Sequence, residues 1–168
     1  MIILGIDPGT ARMGIGLVEV GKSKKVKLVK SDVLITHPDL EPENRLKFLY
    51  EELSSLIKEY TPDVVVIEQL FFNTNAKTAI AVGQARGICM LAAANQKVKI
   101  QNHTALEAKL QLTGYGRADK KEMQESVMKI LGLAQVIKSD DANDAVAMAL
   151  CYIRKYITGE KKPERKKE

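Results

Sequence analysis

The sequence predicts an α/β fold built on a mixed sheet, three antiparallel strands followed by two parallel ones, with helices on both faces. Three observations predict it. Short apolar, β-branched runs at residues 2–6 and 64–67 have the length and composition of strands buried on both sides. Two longer β-like stretches, 13–20 and 26–35, are joined by only Gly21-Lys22-Ser23-Lys24-Lys25, a polar linker of hairpin length. A helical pattern then separates the run at 64–67 from the opening strands, and a strand-helix-strand order calls for a right-handed crossover to a parallel neighbour.

The elements follow in order. Residues 2–6 form the first strand, stopped by the turn chemistry of Asp7-Pro8-Gly9-Thr10. Strands 13–20 and 26–35 complete the antiparallel part. Residues 43–60 carry Leu46, Leu49, Leu53, Leu56, Ile57 and Tyr60 at helical spacing, with Pro62 just past the end. After the strand at 64–67, residues 76–94 are alanine-rich and apolar around much of the circumference, as in a helix packed on more than one side. A short strand is expected at 98–101. Thr104-Ala105-Leu106-Glu107 matches a capping box, and Asp119-Lys120-Lys121-Glu122 resembles a second capped helix start across a loop at 113–118. The second of these helices buries Met123, Val127, Ile130 and Leu131. A last helix begins near residues 139–141 and runs to about 157, with Ala145, Val146, Ala149, Leu150 and Ile153 inward. Residues 1–158 are read as a single domain and 159–168 as a basic, disordered tail.

Composition narrows the classes. At 168 residues with 45% hydrophobic content, the chain has material for one buried core. No apolar run approaches the roughly 18 residues needed to cross a bilayer. The chain opens on a strand-like run without a charged leader, so a cytoplasmic location is expected and no membrane partner. Two cysteines, Cys89 and Cys151, fall inside apolar helical patterns and are expected to be buried, with no disulfide framework and no Cys/His zinc spacing. Two histidines, His37 and His103, are too few and too far apart for a histidine-based metal site and read as loop or surface residues. The net charge of +5 permits binding to a polyanion, and the tail supplies part of it.

The chemistry is carried by acids. Asp7 stands at the carboxyl end of one buried strand and Glu68 directly after another. If those strands are parallel neighbours, both carboxylates emerge at the sheet edge where open α/β sheets place ligands. Glu68 ends a β-branched buried strand with no structural task of its own, whereas Asp7 could simply open its turn. Near the start of the last helix stand Asp140, Asp141 and Asp144; spacing alone allows either of the first two to share a face with Asp144. Carboxylates converging without cations repel and take up protons, and divalent ions relieve that repulsion. Oxygen donors without His or Cys suit Mg²⁺, with Mn²⁺ as a substitute, better than Zn²⁺. Two such ions about 4 Å apart suit phosphodiester cleavage.

These motifs, taken in order, resemble RuvC-type Holliday-junction resolvases: Asp7-Pro8-Gly9-Thr10, Glu68-Gln69-Leu70-Phe71, Gly83-Gln84-Ala85-Arg86-Gly87, Gly114-Tyr115-Gly116-Arg117-Ala118-Asp119-Lys120 and Asp141-Ala142-Asn143-Asp144-Ala145. The match extends over residues 1–157. The resemblance implies a ribonuclease H-like fold, a homodimer, Mg²⁺-dependent nicking of four-way DNA junctions during recombination and repair, two ions per site, and cooperation with the branch-migration proteins RuvA and RuvB. Carried over by position, it implies Asp7, Glu68, Asp141 and Asp144 as metal-binding and catalytic acids, which leaves Asp140 as the helix cap. It also implies Phe71, Lys109 and Lys120 as DNA-binding residues; here a second aromatic, Phe72, follows Phe71.

Read from the residues alone, Arg117, Lys120 and Lys121 beside a Gly-rich loop bring cations and amides toward phosphates, or merely decorate a solvated helix start. Phe71 and Phe72 stack on unpaired bases or anchor in the core. Lys109 would pass for a surface lysine. The apolar helix at 76–94 is the candidate dimer face, because a two-fold protein presents two identical sites to a junction of matching symmetry. Three other functions compete: a ribonuclease H-like nuclease acting on RNA, an actin-like kinase or ATPase, for which 168 residues fall short of two lobes, and a junction-binding protein without catalysis, which would not need all four acids.

Overall fold

Strand β1 (Ile2–Asp7) lies at the centre of a five-stranded sheet of order β3-β2-β1-β4-β5 in a computed structural model that describes residues 1–69, 76–159 and 163. β1 pairs antiparallel with β2 (Arg12–Val20), which pairs antiparallel with β3 (Val26–Ile35); β4 (Val64–Glu68) and β5 (Lys99–His103) are parallel to β1. The expected mixed sheet is present. β5 lies one to two residues later than its apolar run suggested, because Asn102 and His103 extend the ladder opposite Ile67 and Glu68.

Helices cover both faces. On one, α1 (Pro42–Tyr60) and α2 (Ala76–Asn95) pack on Leu4, Ile6, Met13, Ile15, Leu17, Val65 and Ile67. Pro42 starts α1 where its missing N–H is harmless, and Thr61 closes it in a left-handed conformation by donating to the Ile57 carbonyl. On the other face lie α3 (Ala105–Thr113), α4 (Lys120–Leu131) and α5 (Asp140–Tyr152), packed on Ile3, Val18, Val64 and Val66. The predicted capping box of Thr104 with Glu107 forms, and the second capped start is also a capping box, Asp119 with Glu122. Cys89 and Cys151 are buried and free. No helix among the described residues is long and apolar enough to cross a membrane.

Two details differ from expectation. The last helix is α-helical only to Tyr152; a π-helical segment, Ile153–Thr158, continues it to a left-handed Gly159. The cap of α5 is Ser139, whose hydroxyl accepts from the Ala142 amide, so Asp140 is the first helical residue and not the cap. A cap must have extended backbone, and Ser139 has it at φ −80° and ψ 124°.

α5 is buried on nearly every side from Ala142 to Tyr152. It lies so close to the sheet that a Cβ added at Gly5 would stand 1.9 Å from the Ala145 carbonyl oxygen, and one at Gly14 1.9 Å from that of Asp141. Those two glycines let the helix backbone rest directly on β1 and β2, and that contact carries the α5 N-terminus to the carboxyl end of β1.

Candidate active site: acids at the carboxyl edge of the sheet

Strand periodicity explains the gathering of the acids. Alternate side chains share a face, and Ile3 and Gly5 face α5, so Asp7 does as well. Val64 and Val66 belong to the same core, which puts Glu68 on that face. β1 and β4 run parallel with Ile6 opposite Ile67, so the next residues, Asp7 and Glu68, come side by side at the ends of their strands. The condition attached to these two acids at the sequence level is met. Asp141 and Asp144 approach from above, in the first two turns of α5.

Electrostatics shows how crowded the set is. Burial pushes Glu68 up to about 8, helped by a hydrogen bond in which its proton is shared with Asp7 and by the charges of Asp7 and Asp144. Asp7 is also raised, first by burial and further by the Asp141 charge, although the Glu68 hydrogen bond offsets part of the rise. Asp144 is pushed up to about 6 by burial and by Asp7 and Asp140, against the lowering effect of Lys120 and Lys109. All three carboxyls are shifted toward the protonated form, and Glu68 far enough to keep its proton at neutral pH.

Asp141 has a different partner. Its Oδ2 accepts from Arg12 Nε at 2.7 Å. Arg12 begins β2 two residues before Gly14 and so points to the same side as α5. The set is gathered but not closed: among the described residues no three Asp, Glu, His or Cys side chains stand ready to hold one ion together.

A cavity of about 190 Å³ opens beside the acids, lined by Glu68, Asp144, Lys109 and Lys120 over an apolar floor that includes Met123 and Met148. Lys109 is half-buried rather than a free surface lysine. Lys120 is exposed and bonds Asp140 at 2.7 Å, which raises the lysine. Asp140 thus orients Lys120, with Gln124 bonding its other oxygen at 3.2 Å. Phe71 and Phe72 lie outside the described residues, so their relation to this cavity is not part of the geometry.

Sequence reasoning gave no role to four contributors. Arg86 of α2 donates to the Glu68 carbonyl oxygen and to Asn102 Oδ1, both at 2.7 Å, clipping α2 to the ends of β4 and β5. Arg12 has no local signal, since its partner is 129 positions away. Gly5 and Gly14 did carry one, because glycine inside an apolar strand marks close backbone approach. His103 is also unlike its loop or surface reading. It is 1% exposed, opposite Glu68 in the ladder and stacked on Tyr156 with centroids 5.7 Å apart. Burial lowers its pKa, which favours the neutral ring.

Comparison with known proteins places this geometry in a family. The model of the family "Crossover junction endodeoxyribonuclease RuvC" matches residues 3–152. The curated RuvC of Desulforamulus reducens is 48% identical over 153 residues, covering 90% of this chain and 93% of that protein. The Thermus thermophilus RuvC structure superposes with a TM-score of 0.86 at 31% identity, covering 98% of this chain and all of the other. A second T. thermophilus RuvC structure, in complex with Holliday junction substrate, gives 0.85 at 27% identity over 98% of this chain and all of that one. The more distant yeast mitochondrial Holliday junction resolvase Ydc2 shares the fold at a TM-score of 0.68 and 12% identity, covering 90% of this chain and 77% of that one. With the family model and close relatives both spanning most of its length, the chain belongs to the RuvC family of crossover junction endodeoxyribonucleases.

Proposed function

We propose that this chain resolves four-way (Holliday) DNA junctions by paired, divalent-metal-dependent phosphodiester cleavage during homologous recombination and DNA repair. The observation that carries the reading is the convergence of Asp7, Glu68 and Asp144 on one sheet edge, buried enough to be driven toward protonation, beside a cavity rimmed by Lys109 and Lys120.

The donor set fits a hard divalent cation. It offers carboxylate oxygens without cysteine or histidine, and it is short of positive charge where the acids meet. Asp7, Glu68, Asp141 and Asp144 would hold Mg²⁺, or Mn²⁺ in its place, at two ions per site. When bound, such ions supply an activated water and stabilise the leaving oxygen. The protein's own residues do the rest. Glu68 and Asp7 give up their shared proton as the site fills. Arg86 and the β4–β5 ladder keep the Glu68 backbone fixed. Lys109 and Lys120 hold backbone phosphates at the cavity rim, and Phe71 stacks on a base near the junction centre.

The same reading includes a homodimer through α2. Ile80, Met90 and Leu91 are exposed on that helix, and Gly83 and Gly87 open onto empty space. An apolar strip with room for close backbone approach suits a second copy. It further includes one nuclease domain through residue 158 followed by a basic tail, a cytoplasmic location, and hand-over of junctions from RuvA and RuvB. The test is Asp7→Asn, a change that removes a metal ligand and no phosphate contact. Nicking should fall by more than about 100-fold with junction affinity near that of the unaltered protein; loss of affinity in step with activity would refute the assignment.

A further inference from the structure

The Arg12–Asp141 pair is unusual in its placement. Arg12 begins β2, Asp141 lies in the first turn of α5, and their side chains are 50% and 31% exposed. A purely structural bridge would gain little here, since exposed ion pairs contribute at most about 1 kcal/mol. The pair instead ties up Asp141, which, like Asp7, does not line the cavity shared by Glu68 and Asp144. Only Arg12 Nε is used. The two terminal nitrogens of the guanidinium make no hydrogen bond among the described residues. A guanidinium has five N–H donors and a geometry suited to both carboxylate and phosphate.

We infer that Arg12 is an exchangeable counter-ion: it holds Asp141 in the DNA-free enzyme, competes there with the divalent cation, and passes to a backbone phosphate once the cation takes Asp141. This rests on Asp141 being a ligand in the proposed site. A divalent cation drawn to Asp141 Oδ2 meets a guanidinium nitrogen 2.7 Å from that oxygen, and the two cations repel each other and compete for it. Displacement leaves Arg12 exposed and unpaired at the rim, where phosphate is the remaining strong acceptor. Metal and DNA then favour each other through one side chain, since whatever removes Arg12 from Asp141 favours the other ligand equally.

The experiment titrates Mn²⁺ into the DNA-free protein, reading free Mn²⁺ by electron paramagnetic resonance, for the unaltered chain, Arg12→Gln, Arg12→Lys, Asp7→Asn and Arg12→Gln combined with Asp141→Asn. Arg12→Gln should bind Mn²⁺ roughly two- to fivefold more tightly, the range that an exposed ion pair commands. Arg12→Lys should stay near the unaltered chain, and the gain should vanish when Asp141 is Asn. In parallel, junction affinity is measured with chelator and with Ca²⁺. Arg12→Gln should lose more affinity with Ca²⁺ than with chelator, because only the metal-filled site frees Arg12 for phosphate. Unchanged Mn²⁺ affinity in Arg12→Gln, while Asp7→Asn weakens it, overturns the competition. An equal loss of junction affinity in both buffers overturns the transfer to phosphate. If Asp7→Asn leaves Mn²⁺ binding intact, the proposed metal site itself fails.

Discussion

Lys120 and Asp140 show how single side chains set the character of the site. Lys120 is solvent-exposed, and its ammonium is 2.7 Å from Asp140 at the start of α5. That contact holds the lysine over the cavity that Glu68 and Asp144 line. Removing it takes one cation from the cavity rim, the one proposed to face phosphate. Lys120→Ala should weaken junction binding and reduce the salt slope of log Kd by about 1; an unchanged slope in a salt titration would remove Lys120 from the phosphate-contacting set. Glu68 stood out in the sequence because a charge ending a buried β-branched run has few structural uses, whereas Asp7 could equally open its turn and gains its place beside Glu68 from the parallel pairing of β1 and β4. Spacing alone left Asp140 and Asp141 open, because both lie in the same helical turn; the family resemblance assigned Asp141, and the two differ in tertiary partner, Lys120 for Asp140 and Arg12 for Asp141.

Among the elements, α5 decides whether there is a site at all. It brings Asp141 and Asp144 to Asp7 only because Gly5 and Gly14 leave its backbone in contact with the sheet. Gly14→Ala puts a methyl 1.9 Å from the Asp141 carbonyl oxygen and 3.2 Å from the Asp7 Cβ. The obstacle is backbone, so the helix must shift. A destabilisation of about 1–3 kcal/mol is expected from overpacking, with nicking lost well beyond what the fraction unfolded explains. Denaturant unfolding and activity on one sample check both, and retained activity would mean that α5 is not held in place by this contact. Helix ends were legible where chemistry is local, as in the two capping boxes. The end of β5 was not, because long-range pairing with β4 decides it, and the change to π-helix after Tyr152 has no local mark in the sequence.

At the scale of the molecule, the acid cluster makes stability depend on metal and pH. Glu68 at about 8 and Asp144 at about 6 both lie above the usual carboxyl range. Raised folded-state values leave the metal-free protein most stable at low pH, and that contribution is lost as pH rises from the ordinary 3.8 to about 6 for Asp144 and from 4.5 to about 8 for Glu68. Thermal unfolding with chelator should therefore shift to lower temperature across that window, and added divalent cation should remove the trend; a flat profile with chelator would mean that the acids are less crowded than they stand here. The overall architecture was legible because apolar period and loop length dictate strand pairing. The dimer face proposed on α2 was less so, because an all-round apolar helix looks alike whether a neighbour comes from the same chain or from another.

The most direct test compares nicking of a synthetic four-way junction, a linear duplex of the same sequence and an RNA–DNA hybrid, each with Mg²⁺ and with chelator. A metal-dependent resolvase cuts the junction in Mg²⁺, in two symmetry-related strands, and leaves the other two substrates and all chelated samples intact. Equal cutting of the hybrid, or cutting that survives the chelator, would contradict the reading of Asp7, Glu68, Asp141 and Asp144 as the metal centre of a junction-selective nuclease.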